Sequence, residues 1–229
     1  MKKPIRSRRA SKPFSWNDER ELRYEKLNEA LDVLVENGTV SHIAVRVGKG
    51  DTVLCDAFRG GVDESTLFDM ASVTKIVVTT SLALIAFDKG LLSPDDLVAR
   101  FYPNDKGLTV RHLLTHTIGI GYKNLRQDGN TYANIAEKIL EISADIPIGS
   151  DVLYSCPGYI LLGKILEKVF GKPLQESFDE WVAKPLALSQ TSFLPKERCN
   201  AVNANLDEAC VFGLFCVKKR KPPPFFMLL

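Results

Sequence analysis

The sequence predicts an α+β fold, a small antiparallel sheet followed by a body of helices. Three observations predict it. Ile43, Val45 and Val47 alternate with Ala44 and Arg46, and a turn at Gly48-Lys49-Gly50-Asp51 leads to Val53, Leu54, Ala57 and Phe58, which reads as a β-hairpin. The run Ile76 to Phe87 carries no charge and stops at Gly90, which reads as a helix buried on most sides. Beyond Gly90 the signals are those of short helices, with no internal repeat. At 229 residues, 45% hydrophobic and 25% charged, the chain can build a sizeable core in one large domain or two small ones.

Residues 1–17 read as a basic, disordered tail. Lys2, Lys3, Arg6, Arg8, Arg9 and Lys12 precede the first acid, Asp18, and no apolar stretch of a secretory signal follows. Asp18 to Asn37 is an amphipathic helix with Leu27, Leu31, Leu34 and Val35 at helical spacing and Gly38 as its stop. The hairpin comes next and ends at Gly60-Gly61. Phe68-Asp69-Met70 then leads into the central helix.

Ser93-Pro94-Asp95-Asp96 carries the signals of a helix start: an N-cap serine, proline at the first position and acids in the first turn. Thr109 caps a second short helix over 110–115, and 132–142 reads as a third. Pro157 to Phe170 is a fourth, ended by Gly171, and Leu174 to Val182 is a fifth, centred on Phe178 and Trp181. No apolar run reaches the ~18 residues that span a bilayer. The domain expected from these signals covers 18–195, with 196–229 a divergent tail.

Two stretches carry candidate chemistry. In Met70-Ala71-Ser72-Val73-Thr74-Lys75, the serine and lysine stand three residues apart and share one face of a helix. A lysine whose charge is disfavoured by burial can take the serine's proton and make it a nucleophile. The plainer alternative is an ordinary helix start with a solvated lysine. The second stretch is Gly149 to Tyr159, where Tyr154 sits in a loop between two helices. A tyrosine placed against an ammonium group can act as a general base. Its commoner fate is to pack its ring and bond a backbone carbonyl.

Four segments in order resemble the serine β-lactamase-like family, which includes class C β-lactamases, D-alanyl-D-alanine carboxypeptidases and related esterases. They are Phe68 to Lys75, Leu108 to Ile120 (with His112-Leu113-Leu114-Thr115-His116), Tyr154-Ser155-Cys156-Pro157-Gly158-Tyr159 with its continuation to Gly163, and Lys184 to Phe193. The resemblance spans about residues 40–195. It implies the β-lactamase/transpeptidase-like fold, a helical subdomain with an antiparallel sheet. It also implies an acyl-enzyme mechanism: Ser72 attacks a carbonyl, Lys75 helps remove its proton, Tyr154 serves as base or relay, and the Ser72 N–H forms half of an oxyanion hole. His112 and His116 fall in what is scaffold in that family, and no acid stands at metalloprotease spacing beside them.

Two departures qualify it. The family's Tyr-x-Asn has Cys156 at its third position, where asparagine would bind the substrate amide; cysteine is a poor donor and acceptor for that work. The family's third motif, Lys-Thr-Gly or His-x-Gly on a wall strand, is missing from its place. The expectation is therefore a member whose C-terminal strands are missing, by truncation or frame disruption. It would be a serine hydrolase of an ester or amide (a β-lactam, a D-Ala peptide or a small ester) with Cys156 lining the substrate site. The alternative is a catalytically impaired or inactive pseudoenzyme.

The expected partner is a small-molecule or peptide acyl substrate, with no cofactor, no metal, no nucleic acid and no membrane span. Cys55, Cys156, Cys199, Cys210 and Cys216 are odd in number and lack zinc spacing, so reduced thiols and a cytoplasmic protein are expected.

Overall fold

A computed structural model of the chain describes residues 16–121, 123, 125, 130–193 and 215–218. The expected basic tail and most of 196–229, with Cys199 and Cys210, lie outside the described residues. The described backbone divides into two compact units, one of residues 16–65 and one that begins at residue 66.

In the first unit, helix α1 (Trp16–Glu36) precedes strands β1 (Ile43–Lys49) and β2 (Thr52–Arg59). The strands pair antiparallel with Val45 opposite Ala57 and Val47 opposite Cys55, and the register shifts between Val47 and Gly48. Gly50 closes the turn at φ +54°, a region that costs glycine nothing. Cross-strand partners Arg46 and Asp56 form an ion pair. Arg59 joins β2 to α1 by donating to the Asp32 carboxylate and, at 3.0 Å, to the Asn28 side-chain Oδ1. Of the predicted apolar stripe on α1, Leu31 is buried, Leu27 and Val35 are half-buried and Leu34 is exposed.

The second unit begins with β3 (Leu67–Asp69). The predicted central helix is present but is not one regular α-helix. A 3₁₀ turn at Ala71–Val73 passes into a π-helical stretch at Lys75–Thr80 and then into α2 (Ser81–Asp88). The widened part coincides with five consecutive β-branched residues, Ile76 to Thr80, whose stiff side chains crowd a regular turn. Gly90, at φ +66°, ends the run as the sequence predicts, and Leu91 N–H reaches back to the Ala86 carbonyl at 2.9 Å. The expectation of burial on most sides is corrected. Val78, Leu82, Ala83 and Ala86 are buried, but Ile76 is 62% and Leu84 59% exposed. Ala71 to Asp88 is long and apolar enough, with mean hydropathy 1.5, to reach across a bilayer by length and composition alone. Its buried face instead packs on the helices that follow.

The helix predicted from Ser93 does not form. The Asp96 carboxylate accepts the Ser93 N–H (2.8 Å) and the Ser93 hydroxyl accepts the Asp95 N–H (3.3 Å), closing a local turn instead. Leu97 is then extended and bridges to Thr109, with a 3₁₀ turn at Val98–Arg100. Helices α3 (Val110–Leu114), α4 (Ile135–Glu141), α5 (Cys156–Phe170) and α6 (Leu174–Phe178) fall where the sequence places them, and α6 continues as a π-helical turn to Ala183. Helix α5 is the hub: it packs on α2, α3, α4 and α6 and buries Leu161, Leu162, Ile165 and Leu166. Against it lie Leu113, Ile118, Ile135, Ile139 and Phe178, all buried.

Strand β4 (Thr191–Phe193) and β3 both pair antiparallel with β5 (Phe215–Lys218), which lies between them. The sequence signals no element at 215–218. The register sets Val217 opposite Phe68 on one side and Thr191 on the other. Phe215-Cys216-Val217 is rich in strand formers, but so short a run, without alternation of apolar and polar residues, does not read as a strand.

Glu167 ties three elements together. Its carboxylate accepts from the Tyr132 hydroxyl ahead of α4, from Lys164 Nζ (2.6 Å) and from the Leu174 N–H (3.0 Å) that opens α6. Burial opposes the charge, but these donors outweigh it and hold the carboxyl below its ordinary value. Burial and the same carboxylate push the Tyr132 hydroxyl up. Because the folded carboxyl titrates low, its contribution is present above the ordinary glutamate range and is lost as the pH falls through the folded value. Glu167→Ala is expected to cost about 1–3 kcal/mol at neutral pH, and the difference from wild type should shrink in acid. Urea melts of both proteins at several pH values check this.

Candidate active site

Asp69, the last residue of β3, folds the chain back on itself. Its Oδ1 accepts the Ala71 N–H at 2.8 Å, and Ala71 takes φ +41°, a strained conformation for a residue with a Cβ. Val73 N–H closes the turn onto the Met70 carbonyl at 2.8 Å. Ser72 stands exposed on this turn, and Lys75 is half-buried one turn on. Lys75 Nζ lies 3.1 Å from Ser72 Oγ, within hydrogen-bond reach.

The second side of the site comes from the loop 145–155, fastened to residues 116–121 by a row of backbone bonds. Asp145 and Ile146 N–H donate to the Gly119 carbonyl (2.7 and 3.2 Å), Gly149 N–H to Thr117 (2.8 Å) and Leu153 N–H to His116 (2.8 Å). Asp145 adds its carboxylate, which accepts from Lys123 Nζ (2.7 Å) and the Gly121 N–H (2.9 Å); these two donors, Lys123 first, hold its pKa down. Gly119 is required here. At φ +75° a Cβ would stand 2.2 Å from the Ile146 carbonyl oxygen. Gly119→Ala is therefore expected to destabilise the protein by about 2–4 kcal/mol, read as a lowered urea midpoint.

This fastening delivers Tyr154. Its ring lies with the Lys75 ammonium 5.0 Å from the ring centroid, and it leans on the His116 imidazole at 4.6 Å. The structure therefore brings three of the four candidate residues, Ser72, Lys75 and Tyr154, into one place. Cys156, the fourth, is the half-buried first residue of α5. Ser155 caps that helix, its hydroxyl accepting the Gly158 N–H at 3.1 Å.

His112 has a structural role. It completes a capping box with Thr109 at the start of α3, its Nδ1 accepting the Thr109 N–H at 3.1 Å. His116 is more closely involved than its place in the scaffold motif implies. It touches both Tyr154 and Tyr159, and burial, then the Lys75 charge, lower its pKa. Asp69 and Tyr159 also went unmarked by sequence reasoning. The signal for Asp69 was its place two residues before Ala71, an Asx-turn spacing. Among the described residues no cluster of histidine, cysteine, aspartate and glutamate is arranged to hold a metal ion.

Known proteins resemble this chain in sequence and in fold. The chain is 36% identical over 149 residues to a proposed D-alanyl-D-alanine carboxypeptidase of Escherichia coli O157:H7, covering 57% of the chain and 34% of that protein. It is 31% identical over 203 residues to esterase EstB of Burkholderia gladioli, covering 77% of the chain and 50% of the esterase. The chain thus spans a third to a half of the length of these relatives. Among solved structures, a proposed β-lactamase from Bacteroides dorei DSM 17855 superposes with a TM-score of 0.72 at 25% identity, over 85% of the chain and 59% of that protein. The sequence pattern of the Beta-lactamase family matches residues 27–207. With its helical body, its small antiparallel sheets and the serine–lysine turn in the expected order, the chain belongs to the β-lactamase family.

Proposed function

We propose that the chain is a serine hydrolase that cleaves an ester or amide through an acyl-enzyme on Ser72. The observation that carries this reading is the 3.1 Å approach of Lys75 Nζ to Ser72 Oγ, with the Tyr154 ring against the same ammonium. In acylation the Ser72 oxygen bonds to the substrate's carbonyl carbon as its proton passes to the Lys75–Tyr154 pair. The tetrahedral intermediate then expels the alcohol or amine, which takes that proton. Water, deprotonated by the same pair, then bonds to the acyl carbon; the bond to Ser72 Oγ breaks, the serine oxygen takes the proton back from the pair, and the acid is released. The Ser72 N–H is placed by the strained turn at Ala71, and it would face the oxyanion.

The kinship with an esterase and with a proposed D-Ala-D-Ala carboxypeptidase supports small esters and D-Ala peptides as the substrate class. Cys156 favours esters, since a thiol cannot replace an amide in orienting a peptide bond. The same residue favours an impaired or inactive relative as the second reading.

The test is intact-mass labelling with a fluorophosphonate, followed by peptide mapping and assays on 4-nitrophenyl esters. A single adduct on Ser72 with ester turnover supports the hydrolase. A folded protein that takes up no label and cleaves no ester is the impaired relative.

A further inference from the structure

His116 follows α3 directly and takes φ +57°, the left-handed conformation that ends the helix. Two of its acceptors grip the loop that carries Tyr154. Its carbonyl takes the Leu153 N–H at 2.8 Å, and its ring Nδ1 takes the Ser155 N–H at 2.9 Å. Tyr154 lies between those two donors in sequence, and its ring leans on the same imidazole. Tyr159 also contacts the ring, with centroids 4.9 Å apart. The Tyr159 hydroxyl is itself fixed, donating to the Leu114 carbonyl at 3.1 Å and lying 3.3 Å from Thr80 Oγ1. The imidazole thus contacts a fixed tyrosine and accepts a hydrogen bond from the loop.

A backbone N–H can donate only to a nitrogen that keeps its lone pair. Nδ1 is therefore unprotonated and the ring carries its proton, when neutral, on Nε2. We propose that His116 is a positioning residue that, as the neutral Nε2–H tautomer, clamps Tyr154 against Lys75 by accepting the Ser155 N–H. The effect on catalysis rests on the hydrolase reading above; the clamp itself does not. Protonation of the ring would set N–H against N–H and release the loop. The titratable groups found against the ring are Lys75 ahead of α2, Tyr154 in the loop and Tyr159 on α5. Burial and the Lys75 charge both oppose protonation, so the clamp should persist below the ordinary histidine range.

The experiment has two arms. The first is ¹⁵N-histidine NMR of the whole wild-type chain, whose three histidines give a readable spectrum. His116 should show the neutral Nε2–H tautomer at neutral pH. A ring protonated at Nδ1 overturns the clamp, whatever the activity.

The second arm compares His116→Asn with His116→Gly in the rate of fluorophosphonate labelling of Ser72. Both residues accept the left-handed φ, but only asparagine can offer an oxygen near the place of Nδ1. The expected result is labelling within about tenfold of wild type for asparagine and roughly 10²-fold slower for glycine, the scale of a misplaced catalytic group. The part of the acid fall-off in wild-type labelling that follows the NMR titration of His116 should be missing from His116→Asn, which keeps only the fall-off set by the Lys75–Tyr154 pair. Equal labelling rates for the two variants, with only their stabilities differing, reduce His116 to scaffold and overturn the proposal. If wild type takes no label while the tautomer is as expected, the hydrolase reading fails and the catalytic part of the proposal falls with it. The tautomer that the Ser155 bond requires is then still met by the first arm.

Discussion

Ser72→Ala is expected to abolish fluorophosphonate labelling and to lower ester kcat/KM to the background of the assay, a loss on the order of 10⁴-fold or more. The reasoning is local. Ser72 is exposed on its turn, so removing its hydroxyl opens no cavity and should change stability by no more than about 0.5 kcal/mol. Lys75, Tyr154 and the strained Ala71 backbone all stay in place. Only the atom that would form the acyl bond is lost. The measurement is intact mass and ester hydrolysis on both proteins, with matched melting curves to show that the fold is unchanged. If Ser72→Ala still takes one adduct at the wild-type rate, the nucleophile lies elsewhere and the site described here is not the reacting one.

Lys75→Met should slow acylation of Ser72 by about 10²–10⁴-fold, the usual contribution of a positioned general base. Methionine keeps much of the length and apolar stem of a side chain that is half-buried, so the packing loss is small. Lys75→Arg separates two roles for the amine. Guanidinium stays charged at any working pH and cannot take the serine's proton. If Lys75 is part of the base, arginine should be as slow as methionine. If arginine restores most of the rate, Lys75 acts as a fixed cation that orients Ser72 and supports the oxyanion. Stopped-flow labelling of the three proteins over a pH series decides between these results.

The hairpin, the core helices and the serine–lysine pair were legible because each rests on local chemistry. Alternation at Ile43 to Val47 sets a strand, Gly90 and Gly171 end helices at positive φ, and Thr109 and Ser155 cap the next ones. The position of Lys75 beside Ser72 followed from a spacing of three on a helical backbone. The failures were also local in origin. The Ser93 helix start was a turn because its own side chains satisfied the backbone first. The central helix widened at its β-branched run, a detail that periodicity does not register.

By itself the sequence determined the hairpin, the helices from α3 to α6 and the spacing of Ser72 and Lys75, because alternation, capping and helical spacing act over a few residues. Tertiary structure alone decided what those side chains meet. Tyr154 is 79 residues from Lys75, and it arrives beside it only through the bonds that fasten the loop 145–155 to 116–121. The same contacts turn His116 from a helix-end residue into a neighbour of both. Tertiary packing likewise covers only one face of the central helix and leaves Ile76 and Leu84 exposed where composition predicts burial. Such contacts join segments far apart in the chain, and no local pattern encodes which distant donor will find which acceptor.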